Sequence, residues 1–133
     1  MKLLALDFGE KRIGIAVGDS KIGVAAARDF LVNDGDALTN LVELVEQENI
    51  EKILFGLPLG FREETEQTHQ ARTFAESLDA KVAVPLEFID ERFTTKLAEK
   101  NLQNANLNSR EQKNLVDSES ARIILQEYLD SKF

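Results

Sequence analysis

The sequence predicts an α/β fold: a mixed five-stranded sheet, three antiparallel strands followed by two parallel ones, flanked by helices. Three observations predict it. Residues 3–32 hold three apolar segments separated only by short turns, the signature of an antiparallel meander. From Asp36 onward, segments with helical spacing alternate with short apolar runs. Helix-length crossovers between those later runs require parallel pairing. No repeat, low-complexity tract or Pro/Gly/Ser linker interrupts the pattern, so residues 1–133 read as one domain.

The elements follow in order. Leu3-Leu4-Ala5-Leu6 reads as a strand buried on both faces, yet it ends on Asp7, a carboxylate that is costly there unless compensated. After the Phe8-Gly9-Glu10-Lys11 turn, RIGIAVG alternates Ile13, Ile15 and Val17 with small residues, as in a strand paired with the first. DSK turns the chain into a weaker third strand within residues 23–32. Leu38, Leu41, Val42 and Val45 then follow helical spacing, ending near Asn49. KILFGLP is a short interior strand stopped by Pro58, and the polar loop LGFREE follows it. Ala71, Phe74, Ala75 and Leu78 mark a second helix, and KVAVPLEFID a strand that Pro85 places at an edge or bulge. Thr94 or Thr95 can cap a helix through Lys96 to Gln103, and Ser109 with Gln112 has capping-box spacing. The last helix carries Ala121, Ile124, Leu125, Tyr128 and Leu129 on one stripe.

Composition narrows the chemistry. With 43% hydrophobic and 30% charged residues the chain is that of a soluble globular protein, and 133 residues suffice for its own core. No apolar run approaches the ~18 residues of a membrane span, and no signal-peptide pattern opens the chain, so a cytoplasmic location is expected. The absence of cysteine excludes disulfides, thiolate metal sites and cysteine nucleophiles. The single histidine, His69, lies in the polar run TEQTHQAR and reads as a solvated helix residue, which leaves neither a zinc site nor a Ser-His-Asp triad. Carboxylates, hydroxyls, Lys/Arg and an added ion remain. The net charge of −8 is opposite to the footprint of a general nucleic-acid binder.

Three acidic positions break the apolar pattern. Asp7 ends the first strand, Asp90 and Glu91 end the last, and Asp117 lies on the buried stripe of the final helix, four residues before Ala121 and seven before Ile124. The stripe of Glu119 runs instead through Ile123, Gln126 and Asp130 toward solvent. Strand ends and a helix packed across them can bring such carboxylates together to hold one or two Mg²⁺ or Mn²⁺ ions by oxygen alone. The competing account is structural: a local turn or ion pair with Arg92 for Asp90, and a favourable helix-dipole position for Asp117. Asp7 has no such simple alternative.

In order and spacing, LALDFGEKRIGIAVGD, ILFGLPLG, FIDERFTTKLAE and NLVDSESARIILQEYL resemble the signature stretches of the YqgF/RuvX family of pre-16S rRNA nucleases and Holliday-junction-resolvase-like proteins. The resemblance covers nearly the whole chain. It implies an RNase H-like fold and a metal-dependent phosphodiesterase, a hydrolase acting in rRNA processing during ribosome biogenesis. Asp7 matches the family's first-strand aspartate, Asp90 and Glu91 its Asp-Glu-Arg motif, and Asp117 the aspartate opening its final helix. The implied metal ligands are Asp7, Glu91 and Asp117, with Asp90 the alternative to Glu91. Lys11, Arg12, Arg92, Thr94 and Thr95 are expected to line the site and contact phosphate. The expected partner is nucleic acid, pre-rRNA first and branched DNA second, with Lys11, Arg12, Arg62, Arg92, Lys96 and Lys100 as a local basic rim. The chain departs from the family in its LGFREE loop and in Glu119-Ser120, where small apolar residues are usual.

Two other readings share these residues. LDFG followed by a basic residue also resembles the phosphate-binding turn of actin/hexokinase-type ATPases, which close two such domains around a nucleotide, whereas this chain has length for one. A non-catalytic ribosome-assembly or nucleic-acid-binding module is the other, favoured by the acidic balance.

Overall fold

The computed structural model describes residues 1–57, 65–90 and 109–133, with side chains in the last segment described from Ser118 onward. Pro58, the LGFREE loop that follows it and the helix expected from Lys96 to Gln103 lie outside the described residues. Among the described residues the chain forms β1 (Lys2–Phe8), β2 (Arg12–Asp19), β3 (Val24–Val32), α1 (Ala37–Gln47), β4 (Lys52–Leu57), α2 (Glu66–Lys81), β5 (Leu86–Asp90) and α3 (Ser109–Lys132). The five strands make one sheet in the order β3-β2-β1-β4-β5. The β1–β2 and β2–β3 pairs are antiparallel, and the β1–β4 and β4–β5 pairs are parallel.

Strand periodicity sends the apolar side chains of β1 and β4 into two cores. Leu4, Leu6 and Phe8 join Ile53, Phe55 and Leu57 under α1 and α2. Leu3, Ala5 and Leu54 pack under α3 with Ala121, Ile124, Leu125 and Leu129. That double burial is why β1 and β4 read as continuous apolar runs, each large side chain contributing about 1.5–3 kcal/mol. On β2 the division is by size: Ile13, Ile15 and Val17 face α1 and α2, while the α3 face carries Gly14, Ala16 and Gly18. A Cβ added at Gly18 would lie 3.2 Å from side-chain atoms of both Leu125 and Leu129, so α3 seats closely only because this face is bare.

A bulge marks β3. Its register against β2 shifts between Ile13 and Ile15. Ala25 accordingly faces α3 whereas Leu31, six residues on, packs on the other core, which an unbroken strand would not allow. At the outer edge of β3, the Gln126 side chain of α3 stands in for a missing strand: Ala25 N–H donates to its Oε1 at 2.9 Å and its Nε2 donates to the Gly23 carbonyl at 2.9 Å.

The helix ends have local causes. After α1, Asn49 takes φ 55°, and the Asn49 and Ile50 amides donate to the carbonyls of Glu46 and Val45, a Schellman closure with buried Ile50 as its apolar contact. Thr65 caps α2 by accepting the Thr68 amide through its hydroxyl at 3.1 Å.

Two expectations are corrected. Lys81 is the last residue of α2, not the start of a strand, because the Val82 amide still donates to the Leu78 carbonyl. The strand begins at Leu86, after Pro85, on an edge as Pro85 implied. α3 begins at Ser109, where a helix start was expected, and runs 24 residues; the Ser109 and Gln112 side chains of the expected capping box lie outside the described residues. The stripe of Glu119 reaches solvent at exposed Asp130, but its beginning is covered: Ile123 is 6% exposed, and Glu119 is held by Arg122, whose Nε donates to its carboxylate at 2.9 Å. That pairing raises the Arg122 pKa against the opposing effect of burial.

Candidate active site

Asp7 shares the parity of Leu3 and Ala5, so the pleat of β1 turns it to the α3 face at the strand's carboxyl end. It is 9% exposed. Both lateral neighbours in the sheet are glycines, Gly14 across the antiparallel ladder and Gly56 across the parallel one. The row therefore has a carboxylate at its centre and no Cβ on either side. A charged group buried in such a row is costly unless it is compensated, and the two glycines leave no side chain beside it within the sheet.

The helix above this row is tied down beside it. The Ile15 amide donates to the Ser118 Oγ at 3.3 Å in a buried bond. Ile15 adjoins Gly14, the ladder partner of Asp7, and Ser118 immediately follows Asp117 in α3. The bulge at this point of the β2–β3 ladder and the bare Gly14-Ala16-Gly18 face of β2 together let a helix hydroxyl reach a strand amide. Ser118 and Ser120 are both fully buried.

Across β4, the register continues Asp7–Gly56–Ile89, with Leu57 opposite Asp90. Ile89 packs toward α3, while Leu86 packs on the other core and Phe88 meets Phe55 edge-on at 5.9 Å. Alternation thus assigns Asp90, at the carboxyl end of β5, to the α2 face, opposite to Asp7. Lys11 and Arg12 lie at the turn after β1. A Cβ at Gly9 would collide with the Arg12 carbonyl oxygen, so the turn requires glycine. Asn33 braces it, its Nδ2 donating to the Gly9 carbonyl at 2.8 Å and its amide to the Lys11 carbonyl at 2.9 Å. The Arg12 guanidinium stacks 5.5 Å from the centre of the Phe30 ring. Lys11 is exposed.

Glu91, Arg92, Thr94 and Thr95 lie outside the described residues, and of Asp117 the helical backbone is described. Among the described residues no three His, Cys, Asp or Glu side chains gather to hold a metal ion. Of the expected ligand set, Asp7 is the member whose side chain is described. A hard oxygen donor largely withdrawn from water and flanked by glycine fits Mg²⁺ or Mn²⁺ better than softer metals. Sequence reasoning missed Gly14, Gly56 and Ser118. The glycines stand out in RIGIAVG and KILFGL, but only the register puts them on either side of Asp7.

The fold is that of the RNase H-like resolvases. T. thermophilus RuvC in complex with Holliday junction substrate matches with a TM-score of 0.65 at 14% identity, covering 99% of this chain and 96% of that one. Fowlpox virus resolvase in complex with Holliday junction DNA matches at 0.59 and 12% identity, covering 98% of both. Sequence defines the family more narrowly: the RuvX family model, described as Holliday junction resolvase, matches residues 1–131, and the chain belongs to that family. A Dictyoglomus thermophilum relative named "Putative pre-16S rRNA nuclease" is 37% identical over 134 residues, 98% of this chain and 96% of its own length. One of the same name from Sulfurihydrogenibium sp. is 40% identical over 132 residues, 97% of this chain and 90% of its own. Among the described residues, no helix is long and apolar enough to cross a membrane.

Proposed function

We propose that residues 1–133 act as one cytoplasmic nuclease domain that hydrolyses phosphodiester bonds at the 5′ end of pre-16S rRNA. The observation that carries this reading is the Gly14–Asp7–Gly56 row at the carboxyl end of the central strands, in a chain of the RuvX family. Asp7 is the central acid. Asp117 serves with it from α3, supported by the Ser118–Ile15 bond beside the row. Glu91 is the third ligand in preference to Asp90, because the parity of β5 assigns Asp90 to the opposite face.

These carboxylates would hold Mg²⁺ or Mn²⁺, which supplies water activation and charge stabilisation at the phosphorus. The chain's own residues do the rest. Arg12, held in line by Phe30 and the braced turn, presents a planar guanidinium for phosphate, and Lys11 adds an exposed point charge. Arg92, Thr94 and Thr95 complete the substrate contacts. The relatives' shared name supports an rRNA substrate. The description of the family model supports a second reading, the same chemistry on branched DNA.

The test is to incubate the protein with structured RNA bearing the 16S 5′ leader, single-stranded RNA and branched DNA, each with Mg²⁺, Mn²⁺ or EDTA. Metal-dependent cleavage of the leader RNA is expected. Cleavage of the junction alone would move the assignment to DNA, and binding without any cleavage would favour a non-catalytic assembly module.

A further inference from the structure

We propose that the groove between α1 and α2 receives an unpaired nucleobase of the substrate strand. The proposal rests on the nuclease reading and adds to it the state of the nucleic acid beside the cleavage site. The groove has a volume of about 460 Å³, within the ~300–1,000 Å³ usual for small-ligand sites. Phe8, Phe74 and Leu38 form its apolar floor, and the exposed His69, Thr73 and Ser77 line up along α2 as a polar wall.

Topology puts this groove at the functional end of the sheet. Phe8 follows Asp7 in β1 and faces the other core. β1, β3 and β4 all finish at this end, so α1 and α2, which follow β3 and β4, begin here. Leu38 and His69 lie in the first turns of those helices. A strand laid over the sheet end with a phosphate at Asp7 has its next base free to turn down the opposite side.

The floor is aromatic and backed by the core. The Phe8 and Phe74 rings lie 5.1 Å apart at 46°, and Phe55 backs both at 6.0 and 6.4 Å. Such a floor offers a base π-contact that is indifferent to sequence. The wall distinguishes a base from an apolar peptide side chain, since only the base has polar edges for an imidazole and two hydroxyls. Ser77 Oγ donates to the Thr73 carbonyl at 3.1 Å, which orients its lone pairs as acceptors. A duplex keeps its bases stacked and cannot fill the groove, so the strand must offer an unpaired nucleotide.

The test compares full-length wild type with Thr73→Glu, which places a carboxylate on the groove wall, and Phe74→Leu, which keeps apolar volume but removes the ring. Binding of a labelled single-stranded RNA hexamer and of a blunt RNA duplex is read by fluorescence anisotropy without divalent metal. Each variant should weaken the hexamer about tenfold and leave the duplex unchanged. A hexamer carrying 4-thiouridine should photo-crosslink within residues 66–81. Thr73→Glu should melt with the wild type, which separates its effect from folding. Hexamer affinity unchanged by both variants but weakened by Arg12→Ala would overturn the groove assignment while leaving the nuclease reading standing. Equal weakening of hexamer and duplex would also overturn it. Failure of the wild type to bind either nucleic acid would remove both.

Discussion

The Ile15 amide of β2 donates to the Ser118 hydroxyl of α3 at 3.3 Å, a buried bond spanning 103 residues of sequence. It joins the strand next to Asp7 to the helix residue next to Asp117, so the two halves of the proposed metal site meet through one hydrogen bond. Ser118→Ala leaves the strand amide buried without its acceptor and should cost about 1–2 kcal/mol in urea unfolding. Metal-dependent cleavage should fall further than that loss of folded protein accounts for. A Ser118→Ala protein with wild-type stability and rate would separate the bond from the site.

Gly56→Ala probes the bare row beside Asp7. A methyl group on a buried strand is ordinarily tolerated or mildly favourable, and stability should change by less than about 1 kcal/mol. Cleavage should nonetheless drop at least about tenfold if the space flanking the carboxylate admits metal and phosphate, since small displacements at a reacting centre are costly. Steady-state rates at saturating Mg²⁺, set beside unfolding curves, decide the point.

The Gln126 amide occupies the outer edge of β3 like a fragment of an added strand. Gln126→Ala should lose about 1–2 kcal/mol and accelerate amide exchange at Ala25 before any other strand position. It also uncovers an edge next to exposed Val24 and Ile22, so association at high concentration is expected by light scattering.

What could be read in advance depended on whether the signal was local. Continuous apolar runs marked β1 and β4 because both faces are buried, and the same runs made Asp7 conspicuous. The boundary between α2 and β5 was misplaced because Lys81-Val82-Ala83-Val84 carries β-type residues, while the backbone at Val82 is still bonded to the helix. Glu119 read as solvent-facing because a helical wheel supposes one buried stripe, whereas α3 lies across β1, β2 and β3 and buries more than one, with Arg122 covering the charge. Gly14, Gly56 and Ser118 act through partners 7, 49 and 103 residues away, and only pairing register reveals such relations.

Lys52 provides a test by pH. Its ammonium donates to the Tyr128 hydroxyl at 2.8 Å and lies 3.7 Å from Glu87, and the tyrosine bond, more than the glutamate, raises its pKa. A raised folded-state value contributes stability that is complete below the unfolded value of about 10.4 and is lost as pH rises through the folded one. The stability difference between wild type and Tyr128→Phe should therefore be flat from neutral pH to about pH 9 and shrink above about pH 10.4. A gap that widens at alkaline pH would assign the bond a different role.

We propose that Asp7 is kept at the heart of the sheet for chemistry and at a cost to stability. Asp7→Asn preserves shape and removes one charge, so the most direct measurement pairs its cleavage of the leader RNA with its unfolding in EDTA and in Mg²⁺. Expected for the variant are no metal-dependent cleavage, stability in EDTA equal to the wild type or higher by up to about 1–2 kcal/mol, and a smaller gain on adding Mg²⁺ than the wild type shows. A variant that cleaves at the wild-type rate, or that unfolds as though its core were broken, would contradict it.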